Sequence, residues 1–218
     1  LKIGGKVKQI TIFGDEVNDE YKNYTHKEKI FLKDAVISMK KNFNNYRLVN
    51  FTFGLGRTFN NYLSELDDLL SINIDINSKS KEVFDKMNLN SNHVFYNMDY
   101  MDFLQTYNAW QTYNLFEFDT NSTKDSFLLL RQILDNVNSN QINILSCFFN
   151  TIFKMNRKIK KGIIFYKTTN PDEVINLGRY ILSDLVKKFI IDSNWSIAHL
   201  DELHLRNTYF INTILWRI

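Results

Sequence analysis

Four segments of this chain end an apolar run in glycine or a carboxylate, and these are the places where chemistry could be done. The first is Leu48-Val49-Asn50-Phe51-Thr52-Phe53-Gly54-Leu55-Gly56. Two glycines after a strand let backbone N–H groups approach a ligand closely, and the helix that follows offers its N-terminus. The second is Asp75, nineteen residues after Gly56, where a carboxylate can accept two ribose hydroxyls. The third is Asp99, suited to accepting the amino group of a base. The fourth is Asp119 with Thr120, Asn121 and Ser122 behind it. A glycine turn, a helix cap or a solvated acid would account for any one of these alone. Their order and spacing together point to a nucleotide-like ligand laid across successive strand ends.

Other reactive side chains have plainer explanations. Cys147 lies between Ser146 and Phe148 in an apolar stretch, where a thiol acts as a small hydrophobe. His199 and His204 are five residues apart, so a strand places them on opposite faces, and no metal site is expected. There is no P-loop, zinc-protease motif or nucleophile elbow. The run Lys154 to Lys161 holds five cations in eight residues, Lys154, Arg157 and Lys158 among them. Phosphate contact is its functional reading, and a solvated loop is the plain alternative.

The elements that must position these residues alternate between strand and helix, the mark of an α/β domain with a mostly parallel sheet. Strands are predicted at 8–13, 48–53, 70–76, 93–97, 113–118 and 141–149, with an extra one at 163–166. Helices are predicted at 27–43, 58–66, 78–87, 123–137 and from Asn170 to about Ile191. The 27–43 helix is expected to bury Ile30, Phe31, Asp34, Ile37 and Met39. The 123–137 helix is expected to bury Phe127, Leu130, Ile133, Leu134 and Val137. Asn170-Pro171-Asp172-Glu173 opens a helix well, with a cap, a pre-set first position and two acids at the dipole's positive end. The last two strands, 195–205 and 209–218, are joined by a turn near Arg206-Asn207 and are expected to pair antiparallel.

Composition sets the outer limits. With 218 residues, 44% hydrophobic and 23% charged, the chain can bury a core without staples. That excludes disordered, collagen-like and disulfide-scaffold classes. No apolar run is long enough for a membrane span, and no leader pattern is read at Leu1, although removal of one is left open. One cysteine excludes an internal disulfide and fits a reducing, cytoplasmic setting. The net charge of +3 permits a nucleic-acid partner without requiring one.

The sequence L-V-N-F-T-F-G-L-G at 48–56 resembles the glycine motif of class I S-adenosylmethionine-dependent methyltransferases, roughly V-L-D-x-G-x-G-x-G. The resemblance spans about 45–218. It implies a doubly wound, mostly parallel seven-stranded sheet with an antiparallel C-terminal pair, the last strand lying between its neighbours. It implies S-adenosylmethionine as cofactor, with Asn50, Thr52, Gly54 and Gly56 in the cofactor loop, Asp75 on the ribose, and Asp99 with Met98 or Tyr100 at the adenine. Phe116 to Ser122, Asn121 among them, would line the transfer site, with Asp119 orienting or deprotonating the acceptor. The 1–44 segment would be a lid or substrate element, and the basic insert near 150–166 would hold a nucleic acid, RNA favoured.

Two departures stand out: Asn50 replaces the usual acid, and Thr52 replaces the first glycine. They keep open a non-catalytic, methyltransferase-like module that serves a protein partner. A small-molecule methyltransferase is the further alternative. The N-P-P-Y sequence of base amino-group methylation is absent after Phe118. A nicotinamide-binding reading fits less well, because Phe59 stands where G-x-G-x-x-G needs a small residue.

Overall fold

A computed structural model describes residues 19–120, 123–152, 171–205 and 208–218. The expected strands at 8–13 and 163–166 lie outside these residues. In chain order the elements are α1 Asp19–Asn42, β1 Arg47–Asn50, α2 Arg57–Glu65, β2 Leu70–Ile74, α3 Ser78–Lys86 and β3 His93–Tyr96. They continue with α4 Tyr100–Thr106, β4 Leu115–Asp119, α5 Thr123–Asn136, β5 Ile144–Ile152, α6 Pro171–Asp192, β6 Ser196–Leu205 and β7 Thr208–Trp216.

The seven strands form one sheet in the order β3-β2-β1-β4-β5-β7-β6. The first five are parallel, and β7 pairs antiparallel with both β5 and β6. The expected sheet, its terminal antiparallel pair and the interior place of the last strand are therefore all present.

Both faces are covered. One carries Leu48, Leu115, Phe148 and Phe210 of the sheet against α1, α2 and α3. The other carries Val49, Ile72, Phe116, Cys147 and Phe149 against α4, α5 and α6. Central strands buried on both faces are near-continuous apolar runs, which is why LFEFD and ILSCFF are legible as strands. Phe118 and Phe149 sit side by side in register and stack at 4.8 Å.

Some boundaries and faces differ from the sequence expectation. α1 buries Leu32, Ala35, Val36 and Met39, while Ile30 and Asp34 are exposed. Met39 is buried as expected and Phe31 packs against Phe148 and Phe210, so the buried face overlaps the expected stripe in part; Leu32, Ala35, Val36 and Met39, at i, i+3, i+4 and i+7, make the better-packed face. β1 ends at Asn50 rather than Phe53, since the chain changes neighbours there. The Phe51 amide donates to Glu117 O at 2.9 Å on the β4 side, and the Phe53 amide donates to Ile74 O at 3.0 Å on the β2 side.

Candidate functional site

The strand order reverses direction between β1 and β4, and the crevice outside their carboxyl ends is where open α/β sheets take ligands. A cleft of about 330 Å³ lies there. Of the residues singled out in the sequence, it gathers Thr52, Gly54, Asp75, Met98, Asp99 and Asp119. Phe51, Ile76, Tyr100, Thr120 and Asp125 complete its walls. Asp125 has no motif to mark it; its one signal is an acid in the first turn of the helix after β4.

The glycine loop is held from three sides. Asn50 is fully buried, and its side-chain oxygen accepts the Thr52 amide at 3.2 Å. Thr52 Oγ1 accepts the Asp119 amide at 2.6 Å. Asp75 Oδ2 accepts the Gly54 amide at 2.7 Å, and its Oδ1 accepts the Asn77 amide at 2.8 Å. Gly54 has φ +56°, and a Cβ there would meet nothing closer than Thr52 O at 4.0 Å. The glycine therefore borders open cleft. Gly56 has φ +68°, but its Cβ would strike the Phe53 ring at 2.8 Å and Met87 Cε at 3.1 Å. It serves packing at the start of α2 and does not line the cleft.

At the neighbouring strand ends, Asp99 caps α4 by accepting the Met101 amide at 2.7 Å. The cap uses one carboxylate oxygen, and the carboxylate still lines the cleft. Asp119 ends β4, with its Oδ1 accepting Asn150 Nδ2 at 2.8 Å. The residue is exposed along the cleft wall, yet its carboxyl group stands in a dense protein surround. Desolvation raises its pKa to about 6, and the Asn150 hydrogen bond opposes that rise. Burial, and then the charges of Asp125 and Asp99, hold the Tyr100 hydroxyl above its ordinary range.

Four carboxylates, Asp75, Asp99, Asp119 and Asp125, thus line the cleft, and among the described residues no Lys or Arg does. One step below Asp119 on the same side of β4, Glu117 is buried. Desolvation and then the Asp119 charge push its carboxyl well above the usual range, opposed by a hydrogen bond from Thr58.

Not every candidate reaches the cleft. Phe116 is fully buried on the opposite face of β4, edge-on to Trp110 at 6.4 Å. Asn121, Lys154, Arg157 and Lys158 lie outside the described residues. Cys147 is buried, and desolvation pushes its thiol up to about 12, which makes it inert as a nucleophile. Among the described residues no cluster could hold a metal ion, and no helix is long and apolar enough to cross a membrane.

The residues fit an adenosyl sulfonium cofactor. Gly54 leaves room for close approach, and Asp75 and Asp99 retain lone pairs for hydroxyl and amino donors after meeting the backbone. A cleft walled by four carboxylates also suits a cation.

No family model matches the sequence, and no curated protein matches it. Solved structures do match in fold. Magnesium protoporphyrin IX methyltransferase (ChlM) from Synechocystis PCC 6803, with bound SAM, is similar with a TM-score of 0.58 at 14% identity, over 94% of this chain and 88% of that one. The fibrillarin/Nop5p complex gives 0.52 at 14%, over 80% and 73%. The Methanococcus jannaschii fibrillarin pre-rRNA processing protein gives 0.52 at 13%, over 80% and 68%. Strand order, the antiparallel β7 and these similarities agree: the chain has the fold of the class I S-adenosylmethionine-dependent methyltransferases.

Proposed function

We propose that this protein transfers a methyl group from S-adenosylmethionine to a nitrogen or oxygen of a nucleic acid, RNA being favoured. The observation that carries this reading is one cleft at the β1/β4 switch point, bordered by Gly54, Asp75, Asp99 and Asp119. When bound, the cofactor supplies an activated methyl group for direct displacement.

The chain's own residues bind and orient. Asp75 accepts ribose hydroxyls while it holds the Gly54 amide. Asp99 accepts the adenine amino group, with Met98 at the ring. Asp119 receives the proton that leaves the acceptor, and a carboxyl titrating near 6 is ionised and ready to do so at neutral pH.

The acceptor reading is supported by the basic run 154–161, which follows the carboxyl end of β5 in the chain. The acidic wall of the cleft repels phosphate, so a base enters while the backbone stays outside. The similar fibrillarin structure is described as a pre-rRNA processing protein.

One observation favours a second reading, a non-catalytic binding module with a protein partner. Thr52 places a side chain across the crevice where the resembled motif has glycine.

Calorimetric titration with S-adenosylmethionine and S-adenosylhomocysteine, with NADH as control, separates the two. Micromolar binding, about −8 kcal/mol, is expected for the first two ligands. No binding at millimolar ligand overturns the enzyme reading. Titration of tRNA at rising salt then tests the acceptor. Replacing Lys154, Arg157 and Lys158 with Ala should flatten the salt slope by roughly 0.7–0.9 for each phosphate no longer neutralised. An unchanged slope removes the basic run from the reading.

A further inference from the structure

Where β1 and β4 part, one hydrogen-bond donor is left over. The Phe51 amide still donates to Glu117 O at 2.9 Å, but the Phe53 amide has already turned to Ile74 O of β2 at 3.0 Å. The Asp119 amide is beyond the last backbone pairing of β4 with β1, Asn50 with Glu117. A glycine at position 52 would leave that amide without a partner on this side. Thr52 Oγ1 takes it at 2.6 Å. The Thr52 amide is in turn held by Asn50 Oδ1 at 3.2 Å. Both Thr52 and Asp119 line the cleft.

We infer that Thr52 is a positioning residue, whose hydroxyl extends the β1–β4 ladder by one rung across the crevice and ties the glycine loop to Asp119. Asn150 grips the Asp119 carboxyl from the β5 side at 2.8 Å. Asp119 is therefore fixed at its backbone by one neighbouring strand's loop and at its side chain by the other strand. A shift of the glycine loop at Thr52 is passed to the backbone of the acid through the Thr52 hydroxyl. The geometry stands independently; its consequence for turnover rests on the methyl-transfer reading.

The test uses two variants of the full chain. Thr52→Val keeps the shape and loses the hydroxyl, whereas Thr52→Ser keeps the hydroxyl. Hydrogen exchange of the assigned Asp119 amide, followed by NMR on the protein alone, is expected to be about tenfold faster in Thr52→Val, the loss of one hydrogen bond. Exchange in Thr52→Ser stays near wild type. In the methyl-transfer assay, Thr52→Val lowers kcat and leaves the Kd for S-adenosylmethionine unchanged, and Thr52→Ser restores kcat. Unchanged Asp119 exchange in Thr52→Val overturns the tie. A cofactor Kd that worsens in step with kcat also overturns it, because Thr52 then touches the cofactor itself. If the wild-type protein binds no cofactor, the methyl-transfer reading falls, while the exchange comparison still decides for or against the tie.

Discussion

The Asp75 carboxylate accepts the Gly54 amide at 2.7 Å, so the acid at the end of β2 is also the anchor of the glycine loop after β1. Its other oxygen accepts the Asn77 amide at 2.8 Å. Removing this acid therefore affects two things at once. Asp75→Ala should cost about 1–3 kcal/mol of stability, from two backbone donors left without partners, and should also weaken cofactor binding. Asp75→Asn keeps one acceptor and should fall between wild type and Asp75→Ala in both. Urea denaturation and calorimetry read the two effects separately. Loss of affinity with no loss of stability would show that the loop does not depend on Asp75.

On the methyl-transfer reading, Asp119 should set the pH dependence of turnover. Its pKa is raised by desolvation to about 6, so methyl transfer should rise with pH through about 6 and level off above. Asn150→Ala removes the hydrogen bond that favours the ionised form and should move that rise to higher pH. Asp119→Asn should lower kcat by about 10²-fold. Stability moves the opposite way. A carboxyl whose folded pKa lies above its unfolded value contributes fully below the unfolded pKa. That contribution is lost as pH rises from about 4 to about 6. Asp119→Asn should therefore gain in Tm relative to wild type at pH 8 and not at pH 3.5. A flat difference across that range would remove Asp119 as the titrating group.

Glu117 obeys the same linkage deeper in the sheet. It is buried, and desolvation holds its carboxyl well above the usual range. The stability it gives in its neutral form drains away as pH rises past the unfolded carboxyl value toward the folded one. Glu117→Gln should fold as well as wild type at low pH and better at pH 8. Glu117→Ala should be destabilised by about 1–3 kcal/mol at both, through the partners it leaves unpaired. Denaturation midpoints at the two pH values decide it. A Gln variant less stable than wild type at pH 8 would mean that the ionised form is held by partners of its own.

The two glycines of the loop should separate cleanly. Both have positive φ, which costs an alanine about 1–2 kcal/mol. At Gly54 the added methyl faces open cleft, so Gly54→Ala should lose cofactor affinity with only that modest loss of stability. At Gly56 the methyl meets Phe53 and Met87, and overpacking brings the total to about 3 kcal/mol. Thermal melts of the two variants, beside cofactor titration, test the contrast. Equal melting temperatures would contradict the packing role of Gly56.

The sheet is legible in the sequence because strand and helix periods differ and the central strands are apolar on both faces. Asp75, Asp99 and Asp119 are legible because strand ends followed by helix starts are visible in one dimension. Thr52 and Asn150 are not legible as partners of Asp119, because that pairing depends on register across three strands and no local pattern encodes it. The early end of β1 is hidden for the same reason. LVNFTF looks continuous as a strand, but Phe51 and Phe53 hydrogen-bond to different neighbours. β5 starts at Ile144 rather than Gln141, because Gln141 and Ile142 spend their amides on a turn closed by Asn138 O. The buried face of α1 departs in part from the expected stripe because Ile30 and Asp34 lie on the same helical row, and burial follows Leu32 and Val36 instead.

The strand that comes last in sequence is not at the edge of the sheet; β7 lies between β5 and β6. The native neighbour of the β5 edge bearing Phe148 and Phe149 is β7, at Thr208–Trp216. Completion of the sheet waits on a segment some sixty residues downstream of β5, a high-contact-order closure that slows folding. Until then an unpaired edge is open to other chains. A truncation before β7 would therefore remove an inner strand rather than trim a border.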